Sequence, residues 1–142
     1  IVRDLGVAYA RTAESTMSLA VPSDLLAWRP SCHHNAAMDL AQSFLDESRG
    51  EPTLLLVWGH SYELDGFMCR DPAKNWDYMD ALCGRLHGRP SVWYATALEV
   101  AEYLEAMRKV EVATECVRNV SNLPVWLEWR GSTIELAPGA TT

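Results

Sequence analysis

Apolar residues recur every three or four positions in three segments of the chain, which is the spacing of an amphipathic helix. The first predicted helix covers residues 35–48, where Asn35 can cap the first turn. The second begins after Asn75 and runs to about Leu86. The third follows Thr96, which forms a capping box with Glu99, and runs to residue 107.

A continuous apolar run occupies residues 53–58, with the sequence Thr-Leu-Leu-Leu-Val-Trp. A run without alternation is typical of a strand that is buried on both faces of a parallel sheet. Residues 7–10 and 92–95 are predicted as further short strands. Residues 27–32 are predicted as a strand end or an irregular segment. Ser23 or Asp24 is the predicted cap of a helix that follows. Strands therefore alternate with helices, which predicts an α/β fold with parallel strands and right-handed crossovers.

The last third of the chain changes to short strands, predicted at residues 110–113, 116–120, 125–129 and 133–136. Apolar and polar residues alternate within 125–129, as in a half-buried antiparallel strand, and Arg130-Gly131-Ser132 has the composition of a hairpin turn. We interpret the chain as one domain of 142 residues, with βα units in 1–109 and a β extension in 110–142.

Composition excludes some partners. The formal net charge is -7 and no basic stripe is present, so neither nucleic acid nor an anionic membrane is an expected partner.

No signal peptide or membrane-spanning apolar run is visible, which favours a cytoplasmic location. Six tryptophans and five tyrosines are consistent with core packing or with stacking on sugars.

The four cysteines are expected to be free thiols. None of them stands in a Cys-x-x-Cys pair, so a structural zinc site is not predicted. Their positions are Cys32, Cys69, Cys83 and Cys116.

A resemblance to a known family begins at the last residue of the apolar run. The segment that carries it reads Trp58-Gly59-His60-Ser61-Tyr62-Glu63. It resembles the late barrel strand of the NodB-type polysaccharide deacetylases, in which a histidine stands at the carboxyl end of the strand. Other stretches are similar to a bacterial subgroup of that family, in the same order along almost the whole chain. They are Tyr9-Ala10-Arg11-Thr12, Trp28-Arg29-Pro30-Ser31-Cys32-His33-His34, Asn75-Trp76, Trp93-Tyr94-Ala95-Thr96 and Val125-Trp126-Leu127.

The resemblance implies the C-terminal half of a deformed (β/α) barrel. Three βα units are too few for closure, which takes about eight strands. Residues 1–6 have the pattern of a final helical turn that ends at Gly6, so we expect upstream sequence. The open sheet edges predict either pairing with an N-terminal half or a homo-oligomer.

The resemblance also implies metal-assisted deacetylation of N-acetylated carbohydrates. In the family an aspartate and two histidines hold a divalent, zinc-type ion, and a second aspartate is the base. Those ligands stand in a pair of adjacent aspartates and in a His-x-x-x-His motif, neither of which occurs in these 142 residues. We therefore expect no metal in this chain alone and no activity of the isolated chain. The alternative is a non-catalytic carbohydrate-binding or interaction domain on the same fold.

His60 is the residue to which the resemblance assigns chemistry, as the general acid that protonates the leaving amine. Trp58, Tyr62, Glu63 and Asp65 precede or follow it and are the candidate sugar contacts.

Two further positions are candidates for substrate contact. Arg11 stands where the family has an Asp-x-x-Asp-Trp segment that orients the catalytic histidine, so the orienting residue stays unassigned. His34 follows His33 directly, and adjacent residues of an extended segment point to opposite faces, so the pair is not expected to bind one ion. A structural or substrate-contact role is favoured for the pair over a metal role, and His34 is the candidate substrate contact.

Overall fold

The computed structural model describes residues 2–46, 51–65 and 71–142. The chain divides into two compact units, Ile1–Trp93 and Tyr94–Thr142. The first unit holds the candidate site and the second holds most of the strands.

The first unit is built on a short parallel pair of strands. β1 (Cys32–His33) pairs with β2 (Val57–Trp58), with Cys32 opposite Val57 and His33 opposite Trp58. Ser31 extends the pairing, because its hydroxyl donates to the carbonyl of Leu54 and accepts from the amide of Leu56. The predicted parallel arrangement is thus present, although each of the two strands is only two residues long.

Two helices pack beside this pair. α1 (Ala37–Asp46) and α2 (Trp76–Leu86) contact each other and enclose the core of the unit. Small residues on α1 allow this close approach, since Ala37 and Ala41 are fully buried. The buried members of the cluster are Cys32, Ala37, Ala41 and Leu82.

The second unit combines one helix with two antiparallel hairpins. α3 (Ala97–Arg108) packs on β5 (Val125–Trp129), which pairs with β6 (Ser132–Leu136). β3 (Val110–Val112) pairs with β4 (Val117–Asn119). The buried residues of this core are Ala106, Val117, Val125 and Leu136.

The predicted turn between the last two strands is confirmed. Arg130 and Gly131 both have positive φ angles, of 51° and 79°. Two consecutive positive φ values are the mark of a type I′ turn, whose twist matches that of the flanking strands. The predicted alternation in β5 is also present, because Val125 is fully buried whereas Trp126 is exposed.

The helix caps predicted for α2 and α3 are confirmed. The side chain of Asn75 accepts from the amide of Tyr78, and Thr96 and Glu99 form the reciprocal capping box. Asn35 is not a cap, because a 3-10 turn (His34–Ala36) precedes α1 and the ring of His33 accepts from the amide of Asn35. The predicted end of this helix at residues 48–50 lies outside the described residues, as do residues 66–70 of the loop predicted at 64–74, which include Cys69.

Two predicted strands are wrong. Residues 7–10 form no ladder, because Ala10 bonds instead to single groups of Leu25 and Trp28. Residues 92–95 have no regular secondary structure; they connect a turn, in which the amide of Val92 donates to the carbonyl of Arg89, to the start of α3. The helix predicted after Asp24 is a single 3-10 turn, Leu25–Ala27, and Asp24 does cap it.

Residues 53–58 are also less enclosed than the apolar run predicted. All six are half-buried, so the strand is covered incompletely within the described part of the chain. The fold is a mixture of helices with small parallel and antiparallel sheets, and the described residues form no closed barrel. Among them, no helix has both the length and the apolar character needed to cross a membrane.

Candidate functional site

The carboxyl ends of the two parallel strands bring the histidines together. β1 ends at His33, and β2 ends at Trp58, two residues before His60. Parallel strands present their carboxyl ends at the same edge of a sheet, which is where α/β proteins bind ligands. A 3-10 turn, Ser61–Glu63, then folds the carboxylate of Glu63 back toward this edge.

One oxygen of Glu63 is the centre of the arrangement. Its Oε2 accepts from the amide of His60 at 2.9 Å, and it lies 3.3 Å from Nδ1 of His60 and 3.0 Å from Nε2 of His33. Nδ1 of His34 lies 3.8 Å from the same oxygen. We refer to His33, His34, His60 and Glu63 as the histidine–carboxylate cluster.

His33 and His34 lie side by side, so the expectation that they point to opposite faces is wrong. Their ring centroids are 4.2 Å apart. The alternation rule applies only while the backbone stays extended, and the 3-10 turn that begins at His34 ends the extended segment. The change of conformation between the two residues turns the second ring toward the first.

The position of His34 is set by two neighbours. Its ring lies against the backbone of Gly59, where a Cβ atom would be 2.2 Å from Nδ1 of His34. On the other side, the hydroxyl of Tyr78 donates to the carbonyl of His34 at 2.8 Å and accepts from the amide of Met38 at 3.1 Å. The side chain is 4% exposed, so it has little freedom to move away.

Aromatic rings line the exposed side of the cluster. The indole of Trp58 meets the rings of His33 and His60 edge to face, at 4.8 and 5.7 Å between centroids. Tyr62 stacks on His60 at 4.9 Å, with an angle of 22° between the planes. The guanidinium of Arg11 lies 5.3 Å above the indole of Trp58.

The electrostatics favour an anionic Glu63 and a neutral His34. Burial is the largest influence on the pKa of Glu63 and raises it, but hydrogen bonds from His60 and the proximity of His33 together lower the pKa below its usual value. Burial, followed by the neighbouring His33, lowers the pKa of His34. The cluster therefore presents a carboxylate beside uncharged imidazole nitrogen.

The predicted site residues are only partly brought together. His60, Trp58, Tyr62, Glu63, Arg11 and His34 lie in or around the cluster. Asp65 does not contact the cluster through its side chain; its carboxylate accepts from the indole of Trp76 at 2.6 Å. Asp65 therefore fixes the position of an exposed tryptophan.

Sequence reasoning missed three supporting residues. Gly59 makes room for His34, Tyr78 holds its carbonyl, and the hydroxyl of Ser15 accepts from the indole of Trp58 at 3.1 Å. The role of Glu63 as the partner of His60 had a readable signal, because an acidic residue three positions after a cap is the pattern of a capping box. The other contacts join distant segments and had no local signal.

A groove elsewhere in the first unit is separate from this site. It has a volume of about 510 Å³, lies between α1 and α2, and shares no residue with the cluster. Its lining residues are Gln42, Leu45, Asp46, Ala81, Arg85 and Arg89. We assign the chemistry to the cluster because it contains the titratable groups that hydrogen-bond to one another.

The metal centre implied by the resemblance does not fit this chain. Its adjacent aspartates and its His-x-x-x-His motif are both absent from the sequence, and the cluster has two neighbouring histidines and a glutamate instead. Comparison of the chain with protein-family models, with curated proteins and with solved structures gave no match.

Proposed function

We propose that this chain provides the acid–base and sugar-contacting side of a carbohydrate N-deacetylase-like active site, on the C-terminal half of a deformed (β/α) barrel. One observation carries the proposal. His60 is about half exposed at the carboxyl end of a parallel strand, and Nδ1 of its ring lies 3.3 Å from the carboxylate of Glu63. This is the geometry of a general acid whose ring is oriented by a carboxylate.

The role of each ring nitrogen of His60 depends on which one is hydrogen-bonded to Glu63. When Nδ1 of His60 donates to Glu63, Nε2 is the ring nitrogen that exchanges a proton with the substrate. In the hydrolysis of an N-acetyl group, a water oxygen bonds to the acetyl carbon and the C–N bond breaks, so that acetic acid leaves. His60 transfers the Nε2 proton to the departing amine, and the proton that the water gives up restores the imidazolium. Glu63 stabilises the imidazolium before the transfer, because its carboxylate is next to the developing charge.

The aromatic rings around His60 support a sugar as the substrate. Tyr62 is exposed and parallel to the His60 ring, and Trp58 forms the adjacent wall. Flat apolar faces together with a few oriented polar groups are the usual lining of a small-molecule site. A neutral sugar is also compatible with the acidic balance of the chain, which has a net charge of -7.

A second candidate function is carbohydrate binding without catalysis. It is favoured by exposed aromatic side chains beyond the cluster, because the flat face of an aromatic ring can stack on a sugar. Trp76, Trp93 and Tyr94 are each more than half exposed.

Acetate release from N-acetylated chitooligosaccharides tests the enzyme proposal. The assay uses the full polypeptide that the gene encodes and compares it with its His60→Ala and His87→Ala variants. His87 is exposed and lies outside the cluster, so it is the matched control. We expect His60→Ala to lower the rate about 100-fold or more and His87→Ala to leave it unchanged.

The outcomes separate the two functions. Oligosaccharide binding without acetate release supports the binding domain and overturns the deacetylase. An equal loss of rate in both histidine variants removes His60 from the role of general acid. If the protein neither binds nor hydrolyses the sugar, both proposals are wrong.

A further inference from the structure

Three donor atoms of the cluster occupy one small volume. A ring nitrogen of His33, a ring nitrogen of His34 and a carboxylate oxygen of Glu63 all lie within 4.8 Å of one another. Two imidazoles and one carboxylate are the protein ligands of catalytic zinc in several hydrolases, and the same set binds iron(II) in other enzymes. The chemistry of the donors therefore points to a borderline divalent ion.

We propose that His33, His34 and Glu63 form a binding site for a divalent transition-metal ion of the zinc type. This site is different from the one that the family resemblance implies, and it contradicts the expectation that this chain alone holds no metal. The inference does not rest on the proposed hydrolysis, because metal binding is measured without any sugar.

The distances are close to those that such an ion needs. Ligands about 2.0 to 2.1 Å from a tetrahedral zinc are about 3.3 Å from each other. Nε2 of His33 is 3.0 Å from Oε2 of Glu63, and Nδ1 of His34 is 3.8 Å from it. These two separations are within about 0.5 Å of the ideal value. The donor atoms of the two histidines lie within 4.8 Å of each other, so rotation of the His33 side chain must bring the two rings to the ideal separation.

The ring tautomers of the cluster also suit a metal ion. His33 must present the lone pair of Nε2 and carry its proton on Nδ1. This tautomer gives up the 3.0 Å hydrogen bond between Nε2 and Oε2 of Glu63, where the ion would lie between the two atoms instead, and it weakens the 3.5 Å approach of the Asn35 amide to Nδ1.

The ligands are held in place before any ion arrives. Gly59 and Tyr78 fix His34 from two sides, and the capping contact to the amide of His60 fixes Glu63. Such surrounding contacts raise metal affinity, because fewer side chains must be ordered on binding. His33 and Glu63 keep side-chain exposures of 22% and 25%, so an ion has a path from solvent.

Titration of the 142-residue chain with Zn²⁺ by calorimetry, and with Co²⁺ by visible absorption, tests the site. The variants are Glu63→Gln and His33→Gln. Glutamine at 63 still accepts from the amide of His60, and glutamine at 33 still offers an oxygen to the amide of Asn35, so both variants keep the local turns. His87→Ala is the control, and circular dichroism verifies that each variant is folded.

We expect one ion per chain, with affinity reduced about 100-fold or more in both cluster variants and unchanged in the His87 variant. The Co²⁺ spectrum should have d–d bands without thiolate charge transfer, because the ligands are nitrogen and oxygen. Equal affinity in the parent and Glu63→Gln, or a thiolate band that disappears on Cys83→Ser, assigns the ion to another place and overturns the proposal. If the parent chain binds no ion, the proposal also fails, whereas the deacetylase proposal is decided separately by acetate release.

Discussion

Replacement of Gly59 by alanine is the sharpest test of the cluster geometry. The new Cβ would lie 2.2 Å from Nδ1 of His34, 3.1 Å from Cγ and 3.2 Å from Cε1. An ordinary contact begins at 3.4 Å, so the ring must retreat by about 1.2 Å, the difference from the shortest distance. The backbone at Gly59 is outside the left-handed region, so the conflict is steric and not conformational.

The ring has little room for that retreat. His34 is 3% exposed and its carbonyl is bonded to Tyr78. Enlarging a well-packed site typically lowers the free energy of unfolding by about 1 to 3 kcal/mol. We expect Gly59→Ala to show a loss of that size in urea unfolding and at least a tenfold loss of Zn²⁺ affinity.

Gly84→Ala is the matched control for Gly59→Ala. Gly84 lies inside α2, and a Cβ there meets nothing within 4 Å. Alanine in a helix interior is favoured over glycine, so this variant should be more stable by about 0.5 to 1 kcal/mol. The reasoning is refuted if Gly59→Ala is as stable as the parent and binds Zn²⁺ with the same affinity, because His34 then does not lie against residue 59.

Three further predictions concern the packing of each unit. Cys32 is fully buried, and burial raises the pKa of its thiol to about 11. At about pH 8, iodoacetamide should therefore label the exposed Cys83 in the native chain and Cys32 only after unfolding. Because an unfolded thiol ionises near 9.0, the free energy of unfolding should fall as the pH rises from 9 toward 11. Asn119 makes four side-chain hydrogen bonds in a fully buried position, so Asn119→Ala should lower the free energy of unfolding by about 2 to 4 kcal/mol in a urea titration. Tyr78→Phe removes the hydroxyl that holds the carbonyl of His34, and it should weaken Zn²⁺ binding about tenfold while the circular dichroism spectrum is unchanged.

For each of these three predictions, one result of the measurement would contradict the contacts described above. Labelling of native Cys32 at the rate of Cys83 would mean that the core around β1 is open. An Asn119→Ala variant with parental stability would mean that the four hydrogen bonds are not formed. Undiminished metal affinity in Tyr78→Phe would leave the hydroxyl without a positioning role.

The elements with local signals could be predicted from the sequence. α2 and α3 begin at caps that depend on residues three positions apart, and the β5–β6 turn depends on two adjacent residues. Such features are decided by neighbours in the chain. The strands predicted at 7–10 and 92–95 failed because short apolar stretches become strands only where a partner strand is available, and pairing is not a local property.

The candidate site also has some features that the sequence predicts and others that only the tertiary structure determines. The sequence by itself determined that His60 follows an apolar strand and that Glu63 comes three residues later, which is enough to predict their contact. The sequence predicted parallel strands, but only the tertiary structure decided that β1 pairs with β2 and in which register, and this register brings residues 33 and 60 to one edge from separate parts of the chain. The turn that begins at His34 then places a second imidazole beside Glu63, in a space that exists because residue 59 has no side chain.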